Sequence, residues 1–177
     1  IIHTNFGRSP LAATAIDAMC AVARGYSNLE YDLDHGRRGG RAIYVEQGLA
    51  LLCSAESTTI VNNGAAALIL ILRHYLTASS RNQVLISRGE LVQIGGGFRV
   101  PEILQAGGAT LVEIGTTNKT TLQDYRRAID DRTAMILKVH RSNFYMEGFV
   151  ESPTTRELAK LAGEFPVPLV EDLGSGA

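Results

Sequence analysis

The sequence predicts an α/β domain with three layers, α/β/α, built on a mostly parallel sheet. Three observations predict it. From Thr58 onward, short β-branched runs alternate with helical patterns. The runs are apolar almost continuously, Ala134-Met135-Ile136-Leu137 most clearly, which suits strands covered on both faces. Their order, strand and helix in strict alternation, favours right-handed crossovers in one parallel sheet. With 177 residues, 45% hydrophobic and 20% charged, the chain can bury a core of ordinary size.

Residues 1–57 carry a different pattern and are expected to form an N-terminal arm with helices that pack on the large domain or on a neighbouring subunit. Ser9-Pro10 opens a helix with Leu11, Ala15, Met19, Val22 and Ala23 on its apolar face, and Gly25 stops it. A polar, aromatic-bearing stretch from Tyr26 to Leu33 follows. Gly36-Arg37-Arg38-Gly39-Gly40-Arg41 then leads into a helix through Val45, Leu49 and Leu52. Cys20 and Cys53 lie in these helical patterns and are expected as buried thiols of a cytoplasmic protein, not as a disulfide or metal site.

Residues 58–177 are expected to form the sheet domain. Its strands are Thr58–Val61, Gln83–Ser87, Ala109–Ile114, Thr133–Val139 and Val167–Glu171. A helix from Gly64 to Leu76 follows the capping types Asn62-Asn63, and is apolar enough to predict burial. Pro101 marks the first turn of a short helix that Gly107-Gly108 ends. Thr121 with Asp124, and Thr154 with Glu157, have capping-box spacing and open the last two helices.

Composition excludes several classes. Seventeen Lys and Arg against eighteen Asp and Glu give no general polyanion binder, so a nucleic-acid partner would need a local basic patch. DNA is not expected as a partner. No stretch is apolar for the ~18 residues of a membrane span, and the start has no signal-peptide pattern. Both ends have the look of cuts, with no initiating Met and a stop inside Leu173-Gly174-Ser175-Gly176-Ala177. A dinucleotide fingerprint, a phosphate-binding Gly-Lys-Ser/Thr loop and a clustered metal-ligand set are all absent from the sequence.

Chemistry is expected where strands end, because ligands of open α/β sheets bind beyond the carboxyl edge. Val61-Asn62-Asn63-Gly64-Ala65-Ala66 turns from strand to helix, where free N–H groups and the helix dipole favour a phosphate, although such turns also carry caps and glycines for geometry alone. Asp172 in Val170-Glu171-Asp172-Leu173-Gly174-Ser175-Gly176 could pair with a ring nitrogen or metal, or cap the next turn. His140 could move protons near neutral pH or act as a hydrogen-bonded scaffold. Arg88, in Ser87-Arg88-Gly89-Glu90, suits a carboxylate or phosphate substrate, and equally a structural salt bridge. Gly95-Gly96-Gly97 adds permissive backbone. Four candidate groups at four strand ends would converge on one edge.

Ordered segments across the whole chain resemble the bacterial selenocysteine synthase family, the L-seryl-tRNA(Sec) selenium transferases. They are His3-Thr4-Asn5-Phe6-Gly7-Arg8, Gly25 to Asp32, Val61-Asn62-Asn63, Ser87-Arg88-Gly89-Glu90-Leu91, Gly115-Thr116-Thr117-Asn118, Lys138-Val139-His140 with Ser142-Asn143, and Val170 to Gly176. The resemblance implies the incomplete large domain of a fold-type-I pyridoxal 5'-phosphate (PLP) transferase. It implies conversion of seryl-tRNA(Sec) to selenocysteinyl-tRNA(Sec) with selenophosphate, through an aminoacrylyl-tRNA intermediate, in a cytoplasmic homo-oligomer with shared active sites.

Carried over by position, the resemblance gives Asn62, Asn63, Gly64 and Ala65 the cofactor phosphate, with Ser175 also against the cofactor. Asp172 would pair with the pyridine nitrogen, and Glu90 would lie against the ring face. His140 would sit at the cofactor's reactive side. Arg88 and Arg8 would take the substrate anion, and Arg37, Arg38 and Arg41 could add positive charge for selenophosphate or tRNA, or form a solvated loop. Two departures stand out: the family's Schiff-base lysine is expected beyond Ala177, with Lys119, Lys138 and Lys160 no replacement, and the small domains that flank the family's large domain are not in the chain. Competing expectations are a PLP-dependent ammonia lyase acting on an amino-sugar acid phosphate, and a truncated paralogue without catalysis.

Overall fold

A computed structural model describes residues 9–77 and 80–174. The chain divides into two compact units between Ile60 and Val61.

In the first unit, helix α1 (Ala13–Ala23) is followed by a short antiparallel hairpin, β1 (Tyr31–Asp32) and β2 (Arg37–Arg38), and then by helix α2 (Ile43–Cys53). Helix α1 begins after Ala12, which offers no side-chain cap, so Ser9-Pro10 lies ahead of the first turn. The hairpin is held by side chains. Glu30 accepts from Arg38 Nη2 at 2.7 Å and from Arg41 Nε at 2.7 Å, while Asp32 accepts the Asp34 and His35 amides and faces His35 Nδ1 at 2.9 Å. The arginine-rich stretch is thus partly neutralised by its own acids.

Three expectations are corrected here. Neither α1 nor α2 contains a buried residue, and Cys20 and Cys53 are exposed free thiols. An apolar helix face predicts burial only where a second layer covers it, and among the described residues of this unit Met19, Val22, Val45 and Leu52 stay exposed. Thr58–Val61 is not a strand. Thr58 donates to the Glu46 carbonyl at 2.6 Å and Thr59 to the Glu46 carboxylate at 3.1 Å, so side-chain bonds to α2 take the place of a ladder. β-Branched residues fit a pleated surface only when a neighbouring strand offers one.

The second unit contains, in order, α3 (Gly64–Thr77), β3 (Gln83–Ser87), a small hairpin of β4 (Gln93–Ile94) and β5 (Phe98–Arg99), α4 (Val100–Ala106), β6 (Thr110–Ile114), α5 (Leu122–Ala128), β7 (Thr133–Val139), α6 (Thr155–Gly163) and β8 (Leu169–Asp172). Four strands form one parallel sheet in the order β6-β3-β7-β8. Strands β3 and β7 occupy the residues their apolar runs predict; β6 starts one residue later than expected, and β8 spans 169–172 in place of 167–171.

Alternation along the strands separates two cores. Val84, Ile86, Met135, Leu137 and Val139 pack with Leu68 and Leu72 of α3 and Leu104 of α4. Leu85 and Ile136, on the other parity, pack with Tyr125 of α5 and Leu158 and Leu161 of α6. Each fully buried Leu, Ile or Val contributes about 1.5–3 kcal/mol against exposure, so continuous apolar strands with helices on both faces carry this unit. Helix α3 buries only Leu68 and Leu72 and leaves Leu70 51% exposed; one face meets the sheet, and the expectation of a wholly buried helix is corrected to that extent.

Local signals explain the helix ends. Thr121 and Asp124, and Thr154 and Glu157, form complete capping boxes. Pro101 lies in the first turn of α4, and Gly107 caps its end. A Cβ on Gly107 would lie 2.4 Å from Leu72 Cδ1, so this glycine also lets α3 and α4 approach.

Candidate active site at the carboxyl edge of the sheet

The parallel sheet delivers the ends of all four strands to one edge, and three of the loops that leave it are tied together. After β3 the chain makes a single turn of 3₁₀-helix, Arg88–Glu90. After β6, the loop holds Asn118, whose Nδ2 donates to the Phe149 carbonyl at 2.7 Å in the loop after β7. Thr120 N–H donates to the Glu151 carbonyl at 2.9 Å, and Glu151 N–H to the Asn118 carbonyl at 3.0 Å. Arg141 Nε donates to the Gly89 carbonyl at 3.3 Å. Gly89 has no room for a side chain, since a Cβ would lie 2.6 Å from the Thr117 carbonyl. The edge is built by backbone contact as much as by side chains.

Glu90 is the most buried acid at this edge, 4% exposed. One carboxylate oxygen accepts from Lys138 Nζ at 3.2 Å and the other from the Val139 N–H at 3.0 Å. Lys138 also donates to the Pro153 carbonyl at 2.9 Å. The acid therefore satisfies the end of β7 where β3 has already left the ladder, and charge and backbone demand are met together. The sequence places Lys138 in the family-like segment Lys138-Val139-His140 and excludes it as a Schiff-base replacement, without pairing it with Glu90; its parity, opposite to Leu137 and Val139, is the signal that it leaves that core face.

His140 is tied by its backbone N–H to the Asp172 carbonyl at 2.9 Å. Its ring Nδ1 lies 3.0 Å from the Ser142 N–H. A backbone N–H can only donate, so Nδ1 is the acceptor and the neutral ring carries its hydrogen on Nε2. Ser142 adopts a left-handed φ of 59° to make this contact.

Asp172 ends β8 in register with Val139. Val170 packs in the core on the α3 side, and Asp172, two residues on, shares that face. Its Oδ1 accepts the Gly174 N–H at 2.9 Å; among the described residues Oδ2 has no hydrogen-bond partner. Glu171, on the opposite parity, instead takes the Thr155 hydroxyl at 2.5 Å.

At the start of α3, Asn63 is the cap: its Oδ1 accepts the Ala66 N–H at 2.8 Å and its carbonyl the Ala67 N–H at 3.1 Å. The N–H groups of Gly64 and Ala65 have no acceptor among the described residues, and a Cβ on Gly64 would meet nothing within 4 Å. Arg88 points its Nε at Glu113 of β6, 2.7 Å away in a half-exposed ion pair. Arg8 and Ser175 lie outside the described residues.

A cleft of about 520 Å³ opens at the ends of β7 and β8, with Glu90, Lys138, His140, Arg141, Tyr145 and Glu171 on its walls. Of the residues singled out in the sequence, His140 and Glu90 line it; Arg88, Asp172 and Asn62 to Ala65 are not among its lining residues. Arg141, next to His140, was not singled out. Lys119 is no neutral amine: its hydrogen bond and charge pairing with Glu151, 2.6 Å away, hold its pKa above the ordinary lysine value.

The geometry can be set beside known proteins. The SelA family, described as L-seryl-tRNA selenium transferase, matches over residues 1–177. The L-seryl-tRNA(Sec) selenium transferase of Aquifex aeolicus (strain VF5) is 49% identical over 176 residues, 99% of this chain and 38% of the relative. That of Actinobacillus pleuropneumoniae serotype 5b (strain L20) is 47% identical over 177 residues, 100% of this chain and 38% of the relative. The chain thus spans well under half the length of these relatives. Among solved structures, D-glucosaminate-6-phosphate ammonia-lyase superposes with a TM-score of 0.74 at 20% identity, covering 96% of this chain and 46% of that one, a likeness of fold. Matched from end to end, the chain belongs to the L-seryl-tRNA selenium transferase family.

Proposed function

We propose that this chain is part of an enzyme that converts L-seryl-tRNA(Sec) to L-selenocysteinyl-tRNA(Sec) with selenophosphate and PLP. The observation that carries this reading is near-half identity along the full chain to relatives bearing that name. In net terms the serine C–O bond breaks and a C–Se bond forms. The water lost from the serine is recovered when the P–Se bond is hydrolysed and phosphate leaves. The oxidation states balance without a further reagent.

The residues present fit PLP. Two N–H groups at the start of α3 that have no acceptor among the described residues, with open space at Gly64, suit a phosphate dianion at a helix N-terminus. Asn63 holds that turn through the Ala66 N–H, and Asn62, exposed beside it, is assigned to the same phosphate. Asp172, with one oxygen fixed by Gly174 and the other unengaged among the described residues, suits a protonated ring nitrogen. When bound, PLP supplies an electron sink for bonds at the serine α-carbon.

The remaining roles fall to neighbouring groups. His140, with its Nδ1 occupied by Ser142, offers an Nε2–H to the reacting side. Glu90 holds the end of β7, and with it His140, through Lys138 and the Val139 amide, and so positions the face assigned to the ring. Arg88 and Arg8 are assigned to anionic groups of the substrate, and Ser175 to the cofactor side. The reading carries with it a homo-oligomer with shared sites and a cytoplasmic setting.

The test is single-turnover conversion by the intact protein of seryl-tRNA(Sec) in the presence of selenophosphate. Selenocysteinyl-tRNA is the expected product. A protein that binds PLP, shown by its absorbance, yet leaves seryl-tRNA(Sec) unchanged would sink the reading.

A further inference from the structure

The two arginines at this edge are in different electrostatic states. Arg88 spends its Nε on Glu113 at 2.7 Å. Arg141 spends its Nε on a neutral carbonyl, that of Gly89, at 3.3 Å, and among the described residues no carboxylate lies within ion-pair distance of it. Its side chain is half-buried and lines the cleft. The acids that share the cleft are engaged: Glu90 by Lys138 and the Val139 N–H, and Glu171 by the Thr155 hydroxyl.

A second donor lines the same cleft, His140. Ser142 N–H occupies His140 Nδ1, which leaves Nε2–H as the donor the neutral ring presents. A guanidinium anchored through Nε keeps its terminal nitrogens for a planar two-point contact, and the imidazole on the same cleft offers another hydrogen bond. The anchor is itself rigid, because Gly89 is packed against the Thr117 carbonyl too closely for any Cβ.

We infer that Arg141, with His140 Nε2–H, forms an oxyanion subsite in the cleft at the end of β7, built for a phosphate-type group of the substrate. This inference rests on the proposed function for the identity of its ligand. Two sources share the chemistry: the small selenium donor, selenophosphate, and a backbone phosphate of the tRNA acceptor end.

The test uses the intact protein and four variants, Arg141→Gln, Arg141→Lys, Arg88→Gln and Arg99→Gln. Arg99 lies in the β4–β5 hairpin and pairs with Glu102, so its variant controls for loss of one positive charge. Inorganic phosphate is titrated first, with the His140 ring resonances followed by NMR. Arg141→Gln is expected to weaken phosphate binding tenfold or more, Arg141→Lys to recover part of it, and Arg99→Gln to leave it unchanged. In the transfer assay, a raised KM for selenophosphate with an unaltered KM for seryl-tRNA identifies the small donor as the source, and the reverse pattern identifies the tRNA. Phosphate affinity and both KM values unaltered in a folded Arg141→Gln protein would overturn the subsite, as would phosphate shifts lost on Arg88→Gln and retained on Arg141→Gln. Because phosphate binding is read without turnover, failure of the transfer reaction leaves the subsite separately testable.

Discussion

Glu90 and Lys138 meet at 3.2 Å between the turn that ends β3 and the last residues of β7, with 5% and 17% of their side chains exposed. Among the described residues no other ion pair is as deeply covered. Removing one partner of a buried pair costs about 3–5 kcal/mol because the other charge is stranded. Glu90→Ala also strips the Val139 N–H of its acceptor, whereas Glu90→Gln retains an oxygen for it. Urea unfolding should therefore place Glu90→Ala lowest and Glu90→Gln between it and the parent. The double variant Glu90→Gln/Lys138→Met should be less destabilised than the sum of its single changes. Strict additivity would argue that the pair does not hold this edge.

Much of the sheet unit was legible because its signals are local. Gln83–Ser87 and Thr133–Val139 announced themselves by apolar runs, and the capping boxes at Thr121 and Thr154 by residue spacing. What failed depended on partners the sequence does not name. Thr58–Val61 has strand composition but bonds to Glu46, and the cysteines of α1 and α2 sit in apolar patterns that stay exposed among the described residues. At the candidate site, strand order could bring His140 and Asp172 to one edge. It could not reveal that Arg88 faces Glu113 while Arg141 docks on Gly89, because both contacts join residues more than twenty positions apart.

Asp172 gives a test of cofactor electronics that leaves the fold alone. Asparagine keeps an oxygen for the Gly174 N–H but removes the negative charge assigned to the ring nitrogen. Asp172→Asn should bind PLP, since the phosphate is assigned to the start of α3 in the proposed function, while single-turnover transfer slows by roughly 10²-fold, the scale of losing a preorganised electrostatic partner. A visible-range absorbance change of the bound cofactor should accompany the slowed rate. Normal turnover would remove Asp172 from the site.

The capping boxes make stability depend on acid pH. The Thr121 amide, and then its hydroxyl, hold the Asp124 carboxyl below the ordinary aspartate value, and Thr154 does the same for Glu157. The unfolded chain therefore takes up these protons first, and the stabilisation is present at neutral pH and lost as pH falls below the ordinary carboxylate range. Thermal melts of Asp124→Asn/Glu157→Gln should start lower at neutral pH and fall less on acidification. Thr121→Ala should cost about 1 kcal/mol at neutral pH. An acid limb as steep in the double variant as in the parent would place the responsible carboxylates elsewhere.

Tyr125 is fully buried in the core between the sheet and α5–α6, and among the described residues its hydroxyl meets no partner at full hydrogen-bonding geometry, the Ser87 backbone being the nearest candidate. Burial, with the Glu90 carboxylate adding to it, pushes its pKa well above the ordinary tyrosine value. Leaving a buried hydroxyl unmatched costs about 1–3 kcal/mol, and removing the group without changing the ring's shape relieves that cost. Tyr125→Phe should therefore melt at or above the parent temperature, unlike most core substitutions. The pH dependence has a definite sign. A folded-state pKa raised above the unfolded value gives stability that is complete below the ordinary tyrosine range. It is lost as pH rises beyond that range, because only the unfolded chain can ionise there. Phenylalanine removes that alkaline loss, so the gap between the variant and the parent should widen with pH. A lower melting temperature for Tyr125→Phe at neutral pH would mean that the hydroxyl is satisfied, by the Ser87 backbone or by a buried water.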